Sequence, residues 1–187
     1  MRVVAVAAVT AGGKTTVVRE LLNRLPKAKS LHFDDYSFAG EVEDFRQWVM
    51  DGADYHVWKL DPLEQDIVRI RDSGVCDYLI LDYPFAYRHR QIAPYIDVAF
   101  FIDTPLDVAL ARRVLRDMGG ASGEEIRADL RMYLDFARPA YLQMVKDILP
   151  SSDHVIDGMK MPEEIAAEIK AVIQEGEHGA ALSGGRF

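Results

Sequence analysis

The sequence of 187 residues lacks several features that mark whole classes of protein. It has a single cysteine, Cys76, which excludes an internal disulfide and leaves no C-x-x-C cluster for a metal. No stretch approaches the length of a membrane-spanning helix, and the seven apolar residues at 3–9 are too few for a secretory signal. We therefore expect a cytoplasmic protein without a membrane partner, in which Cys76 fills a core or strand-edge position.

An excess of positive charge is also missing. Lysine and arginine total 22 against 30 aspartate and glutamate residues, so the formal net charge is −8 and the pI is near 5.1. Nucleic-acid backbones are bound by basic surfaces, so we expect no nucleic-acid partner, and an anionic substrate would need local arginines. A hydrophobic content of 49% over this length predicts one α/β domain at residues 1–175, with a lid around residues 112–123.

What the sequence does contain is a strand, a loop and a helix near its start. The run VVAVAAV at 3–9 has no polar alternation, as expected for a parallel strand covered on both faces. Gly12 and Gly13 follow and give the backbone freedom to turn. A helical apolar stripe then ends at Pro26. It consists of Val17, Val18, Leu21, Leu22 and Leu25.

The loop differs at one position from the phosphate-binding pattern G-x-x-x-x-G-K-S/T. It reads AVTAGGKT, with Ala8 in place of the first glycine. In this pattern backbone amides surround phosphate oxygens, the lysine reaches the β and γ phosphates, and the next hydroxyl binds the bridging Mg²⁺, here Thr15. The candidate phosphate-binding residues are Ala11, Gly12, Gly13, Lys14, Thr15 and Thr16. The alternative is a plain glycine turn with a surface lysine.

Two further predicted strands lead into acidic residues. Ser30–Phe33 runs into Asp34 and Asp35, and Asp77–Leu81 runs into Asp82. The carboxyl ends of parallel strands face the ligand crevice, so we expect these acids near the phosphate loop. Asp82 resembles the metal-holding acid of a Walker B strand. A solvated turn and an ordinary strand end are the alternatives.

The segment DGADYHVWKLDP at 51–62 is unusually aromatic. Tyr55, His56 and Trp58 are candidates for a substrate pocket, because rings offer stacking area with little entropy to lose, but they could equally cap the core. The stretch RHR at 88–90 is predicted to be a solvated helix start, and Arg88 is a substrate candidate if it faces the site.

Arginines accompany the apolar face of the predicted helix after Thr104, which we expect to be its N-cap. Arg112 and Arg116 lie one turn apart, so both guanidinium groups could close over a transferring phosphoryl group as a lid. They could instead complement the helix dipole. Ser122 and Glu125 form a capping box that opens a long helix, interrupted at Pro139.

The remaining elements follow from apolar periodicity. The predicted strands are Ile96–Ile102 and His154–Ile156, the predicted helices are Glu41–Met50, Leu63–Ile70 and Pro162–Ile173, and residues 176–187 are predicted to be a disordered tail.

These stretches resemble, in order, the P-loop small-molecule kinases of the uridine kinase, nicotinamide riboside kinase and phosphoribulokinase group. The resemblance rests on AVTAGGKTT at 8–16, HFDDY at 32–36, RRVLRD at 112–117, and YLDFARPAYL with HVIDG at 133–142 and 154–158. It implies a P-loop NTPase fold: an α/β domain with a five-stranded parallel sheet of order 2-3-1-4-5, helices on both faces and a small helical lid. The segment DYHVWKLDP departs from the acceptor-binding pattern of the group.

The same resemblance implies roles for individual residues. Asp34 would be the general base, Lys14 and Thr15 would serve ATP and Mg²⁺, Asp82 would help to hold the metal, and Arg112 and Arg116 would close over the phosphates. Adjacent side chains at a strand end point to opposite faces, so we expect only one of Asp34 and Asp35 to face the phosphates, and the resemblance selects Asp34. Asp35 and Tyr36 are further substrate candidates.

The implied activity is transfer of the γ-phosphoryl group of ATP to a hydroxyl of a small metabolite, most readily a nucleoside or nucleoside-like ribose. Rival interpretations are a dephospho-coenzyme A or nucleoside-monophosphate kinase, and a non-catalytic ATP-binding regulator. A GTPase switch is disfavoured because the only asparagine, Asn23, lies in NRLP and not in an N-K-x-D motif. The acceptor, the preference for ATP over GTP and a homo-oligomeric state stay open.

Overall fold

The computed structural model describes residues 1–183, in which five parallel strands form one sheet. The strands are β1 Arg2–Ala7, β2 Ala28–His32, β3 Tyr78–Asp82, β4 Val98–Asp103 and β5 His154–Asp157. The helices are α1 Lys14–Arg24, α2 Phe45–Met50, α3 Asp61–Ser73, α4 Leu106–Asp117, α5 Gly123–Met132, α6 Arg138–Asp147 and α7 Pro162–Ser183. The strand order β2-β3-β1-β4-β5 confirms the predicted sheet.

β1 lies at the centre of the sheet, between β3 and β4. Its residues Val4 to Ala7 are fully buried because a separate apolar cluster covers each face. α1 and α7 pack on one face, and α3 with the aromatic segments covers the other. The loop after β1 therefore opens at the middle of the sheet's carboxyl edge, where the ends of β2, β3 and β4 converge.

Several boundaries differ from the sequence predictions. β2 ends at His32, and Phe33–Asp35 forms a 3₁₀ turn, so Asp34 and Asp35 do not belong to a strand. The argument that their side chains alternate across a strand is therefore wrong. Side chains in a 3₁₀ turn are spaced by about a third of a turn instead. Both acids are exposed.

Two helix starts also differ. α2 begins at Phe45 rather than at Glu41, because the carboxylate of Asp44 accepts hydrogen bonds from the amides of Arg46 and Gln47. Thr104 does not cap α4, whose N-cap is Pro105, and its hydroxyl is used elsewhere. The predicted capping box of Ser122 and Glu125 is present in α5.

The predicted interruption of the long helix is a turn of π-helix at Tyr133–Ala137, between α5 and α6. Pro139 follows it at the first turn of α6, where its missing amide hydrogen is tolerated. α7 continues past Gly176 to Ser183, beyond the point where the sequence predicts a disordered tail, and residues 184–187 of that predicted tail lie outside the described residues. Within residues 1–183 no helix is long and apolar enough to cross a membrane.

Candidate active site

The loop from Ala8 to Gly13 forms a phosphate-binding cradle at the start of α1. Ala11 and Gly13 have positive φ angles of 58° and 97°, and Gly13 is the N-cap of α1. A Cβ atom on Gly12 would lie 2.8 Å from the carbonyl oxygen of Val9, so this position requires glycine. The turn directs the first amides of α1 toward the cleft, which is the arrangement that binds phosphate oxygens.

Thr104, between β4 and α4, anchors the phosphate-binding loop through a side-chain hydrogen bond. Its buried hydroxyl donates a hydrogen bond to the carbonyl oxygen of Gly12 over 2.9 Å. Gly158, after β5, lies so close that a Cβ atom there would meet the Thr104 hydroxyl at 2.0 Å. Three loops from the ends of β1, β4 and β5 are therefore joined at one point.

Lys14, the first residue of α1, and Asp82, the last residue of β3, form an ion pair. Burial by itself would raise the pKa of Asp82, but the Lys14 ammonium, a hydrogen bond with Thr15 and a hydrogen bond with His32 together hold that pKa below its ordinary value. His32 places Nδ1 3.0 Å from one carboxylate oxygen of Asp82. Its Nε2 lies 2.9 Å from the Ser30 hydroxyl. The sequence analysis missed His32, although its place at a strand end beside Asp34 was a usable signal.

This cluster fits a magnesium ion in the chemistry of its donors. Asp82 is ionised and Thr15 supplies a hydroxyl oxygen at the same point, and Mg²⁺ prefers one or two such oxygens together with substrate phosphates and water. Within the described residues there is no group of three or more His, Cys, Asp or Glu side chains that could hold a metal by itself. A metal here would therefore depend on the phosphates for most of its ligands.

Asp34 lines the same cleft as the phosphate-binding loop, a cavity of about 950 Å³. Asp35 does not line it. Arg116 of α4 also lines the cleft and is close enough to Asp34 for that carboxylate to help raise the pKa of the guanidinium, after the larger effect of its hydrogen bonds with Asp117. The structure thus brings a carboxylate and an arginine together beside the loop.

Three arginines of α4 have different environments. Arg112 lines the cleft and points both terminal nitrogens at the carbonyl oxygen of Gly158 over 3.4 Å. Arg116 pairs with its neighbour Asp117 at 2.6 and 2.9 Å. Arg113 instead makes a two-bond ion pair with Asp129 of α5 and braces the two helices against each other.

The far end of the cleft is walled by rings. Of the predicted substrate residues, Tyr36, Tyr55 and Trp58 line the cleft, whereas His56 and the exposed Arg88 do not. The wall also contains aromatic residues that the sequence analysis did not select. These are Phe33, Phe45, Trp48, Phe85 and Tyr141. Their shared position depends on loop packing, which carries no periodic signal in the sequence.

The hydroxyl groups of two wall residues are already bonded away from the cleft. Tyr36 donates to Asp66 over 2.9 Å and Tyr55 donates to Asp147 over 3.3 Å. Burial and these carboxylates raise the pKa of both phenols above the ordinary value. They therefore present rings rather than charges to the cleft.

This sheet, with a phosphate loop after its first and central strand, defines the P-loop NTPase fold. A putative fructose transport system kinase from Silicibacter sp. TM1040 shares it with a TM-score of 0.56 and 14% identity, covering 83% of this chain and 89% of the other. A sugar kinase from Janibacter sp. HTCC2649 matches with a TM-score of 0.55 and 14% identity, covering 93% and 95%.

Sequence comparison narrows the class. The model of the phosphoribulokinase / uridine kinase family matches residues 75–165. A uridine kinase of Alkaliphilus metalliredigens is 30% identical over 117 residues, which is 60% of this chain and 53% of that protein. A chloroplastic uridine/cytidine kinase of Arabidopsis thaliana is 24% identical over 178 residues, or 81% of this chain, but the chain spans only 36% of its length. The resemblance to the P-loop kinases of the uridine kinase and phosphoribulokinase group is thereby confirmed.

Proposed function

We propose that the protein is an ATP-dependent phosphotransferase that moves the γ-phosphoryl group to a hydroxyl of a small metabolite, with a nucleoside or a nucleoside-like ribose as the favoured acceptor. The observation that carries this proposal is the cleft, in which the phosphate loop, Asp34, the two α4 arginines and an aromatic wall share one cavity. The names of the uridine kinases that the chain resembles support the nucleoside.

We assign a role to each residue, and its position in the cleft supports that role. The amides of 11–16 bind the phosphates and Lys14 offsets their charge. Thr15 and Asp82 would hold Mg²⁺, which would supply positive charge to neutralise the phosphates. Asp34 accepts the proton of the acceptor hydroxyl as its oxygen bonds to the γ phosphorus and the bond to the leaving ADP oxygen breaks. Arg112 and Arg116 stabilise the charge of the transferring group.

Charge at the aromatic end favours an acceptor that carries no phosphate. Among the described residues, the segments that carry the aromatic wall contribute two carboxylates to the lining of the cleft, Asp34 and Glu41, and no lysine or arginine, although Asp34 also lies close to Arg116 of α4. A phosphorylated acceptor would meet unfavourable charge there. This argues against the dephospho-coenzyme A and nucleoside-monophosphate kinase alternatives.

The test is a panel of acceptors assayed by ADP release with ATP and Mg²⁺. The panel contains nucleosides, free sugars and nucleoside monophosphates, and Lys14→Ala serves as the inactive control. We expect turnover with at least one nucleoside and much less with every monophosphate. Preferred turnover of a monophosphate, or ATP binding without acceptor-dependent ADP release, would contradict the proposal.

A further inference from the structure

His89 is a buried histidine in a stretch that the sequence predicts to be solvated. Arg88 and Arg90 on either side of it are exposed, but the His89 side chain is only 2% exposed. It follows the 3₁₀ turn Ala86–Arg88, which begins at a strained positive φ of 45° at Ala86. A buried polar ring at the end of a strained turn requires a local reason.

One nitrogen of His89 holds the backbone of the aromatic segment. Nε2 lies 3.0 Å from the carbonyl oxygen of Trp58. A carbonyl can only accept, so Nε2 carries the proton and donates. Nδ1 is buried and has no hydrogen-bond partner in the described part of the chain. Burial lowers the pKa of His89 despite the bond with Trp58, and His56 and Arg90 lower it further while Asp54 opposes them, so the ring is neutral at pH 7.

The His89 ring stands directly behind the wall of the cleft. It stacks on Phe85 with 6.2 Å between centroids and an interplanar angle of 22°, and His56 meets it edge-on at 5.2 Å. Phe85 in turn contacts Tyr55 at 5.4 Å and Trp58 at 5.0 Å. Phe85, Tyr55 and Trp58 line the cleft, but neither histidine does.

The two segments that His89 joins are loops from different parts of the chain. The segment that carries Tyr55 and Trp58 precedes α3, and the segment that carries Phe85 follows β3. No strand pairing connects them within the described residues. A second tie, from Gln91 to the amide of Leu60 and to the carboxylates of Asp61 and Glu64, lies at the start of α3.

We infer that His89 is a positioning residue of the acceptor site, which sets the spacing between Trp58 and Phe85 through its bond to the Trp58 carbonyl and its stack on the Phe85 ring. This inference rests on the proposed function for its effect on turnover. It predicts that His89 changes recognition of the acceptor and leaves the binding of ATP unaffected, because the phosphate loop is built from other elements.

Three variants separate positioning from stability. His89→Leu removes the donor and the stacked ring. His89→Gln keeps a donor at a similar reach from the backbone and restores the bond to the Trp58 carbonyl. Gln91→Leu is the matched control, because it removes the other tie between the same two segments, and the bonds of Gln91 go to Leu60, Asp61 and Glu64 rather than to the wall residues Trp58 and Phe85. Urea unfolding of all three gives the loss of stability against which the kinetic changes are compared.

We expect His89→Leu to raise KM for the acceptor about tenfold, with KM for ATP unchanged and kcat reduced less than threefold. His89→Gln should stay within about threefold of wild type, and Gln91→Leu should leave the acceptor KM unchanged. An acceptor KM that rises equally in His89→Leu and Gln91→Leu, or a Gln variant no better than the Leu variant, would overturn the inference.

A second readout needs no turnover and separates this inference from the proposed function. In a Trp48→Phe background, Trp58 is the remaining tryptophan, and it is only 6% exposed. Quenching of its fluorescence by acrylamide should rise in His89→Leu and return toward the parent value in His89→Gln. Unchanged quenching in His89→Leu would overturn the positioning role even if phosphoryl transfer is found, whereas increased quenching without any phosphoryl transfer would contradict only the proposed function.

Discussion

At the scale of single residues, Lys14 and Asp82 illustrate how a site residue also supports the fold. The sequence motif predicts a lysine that points at phosphate, and the structure adds that its ammonium neutralises a carboxylate whose side chain is 3% exposed. Removing one partner of a buried pair leaves an uncompensated charge. Lys14 therefore affects both turnover and stability.

Lys14→Ala should remove phosphoryl transfer and lower the free energy of unfolding at pH 7 by about 3 kcal/mol. In the wild type the lowered pKa of Asp82 contributes stability that is complete above the unfolded pKa of about 4 and is lost as the pH falls through the folded value. In the variant, burial without the ammonium should raise the pKa of Asp82. Asp82 should then become protonated as the pH falls from 7 toward 4, so the difference in unfolding free energy between wild type and Lys14→Ala should shrink over this range. Urea unfolding across this range measures the narrowing gap.

The double variant Lys14→Ala with Asp82→Asn is the control, because it has no carboxylate to titrate. The difference in unfolding free energy between this double variant and wild type should stay constant from pH 7 to pH 4. A gap between wild type and Lys14→Ala that does not change with pH would show that the pair contributes nothing through charge.

Asp34 and Asp35 provide the second test at this scale. Asp34 lines the cleft and lies near Arg116, whereas Asp35 does not line it. Asp34→Asn should lower kcat by about 10²- to 10⁴-fold with little change in ATP affinity, since a placed carboxylate contributes about that much to proton acceptance. Asp35→Asn should have a much smaller effect. Single-turnover rates of the two variants with the preferred acceptor test this prediction. A larger loss of rate in Asp35→Asn than in Asp34→Asn would contradict the assignment of Asp34 as the general base.

At the scale of elements, α4 presents three arginines with separable roles. Arg112→Ala and Arg116→Ala should each lower kcat by about tenfold or more while nucleotide affinity changes little, because their charges act on the transferring group. Arg113→Ala removes the same charge from the same helix but faces α5, so it should lower stability rather than kcat. Steady-state kinetics together with thermal unfolding of the three variants measure the split. Equal loss of kcat in Arg113→Ala would contradict the lid assignment.

The elements also show what could be predicted from sequence. Strong apolar runs such as 3–9 and 78–81 predicted strands correctly, because buried parallel strands have a distinctive composition. The predictions for the start of α2 and for residues 33–35 were wrong. One carboxylate cap or one turn shifts such a boundary without changing the apolar periodicity of the sequence. Thr104 read as a helix cap, but its hydroxyl bonds a distant loop that no local pattern reveals.

At the scale of the whole molecule, the phosphate end of the cleft was more predictable than the acceptor end. The phosphate loop is local in sequence, so a short pattern locates it. The acceptor end gathers rings from the segments 33–58, 85 and 141, and its shape depends on packing across the chain. The stretch that contains His89 was predicted to be solvated, but the structure buries His89, because its burial also depends on packing between distant segments.

Binding of nucleotide should stabilise the whole molecule. A ligand that binds only the folded state at about 100 times its dissociation constant contributes about 2.7 kcal/mol. For a chain of this size that raises Tm by about 5 to 10 °C. Differential scanning fluorimetry with ATP and Mg²⁺ measures the shift, and Lys14→Ala serves as the control that should show little of it. Equal shifts in both proteins would mean that the nucleotide does not use the phosphate loop.

The hydroxyl of Thr104 anchors the N-terminal end of α4 and leaves the C-terminal end without this tie. Thr104 lies just before α4, bonds Gly12 and lies against Gly158, so we expect any rotation of the helix to be centred on this end. At about 1.5 Å per residue, Arg112 lies about 9 Å and Arg116 about 15 Å along the axis from Leu106. The same small rotation therefore moves Arg116 nearly twice as far as Arg112. A rotation of α4 about this end would therefore leave the contact between Arg112 and the Gly158 carbonyl oxygen almost in place and would carry Arg116 the longer distance.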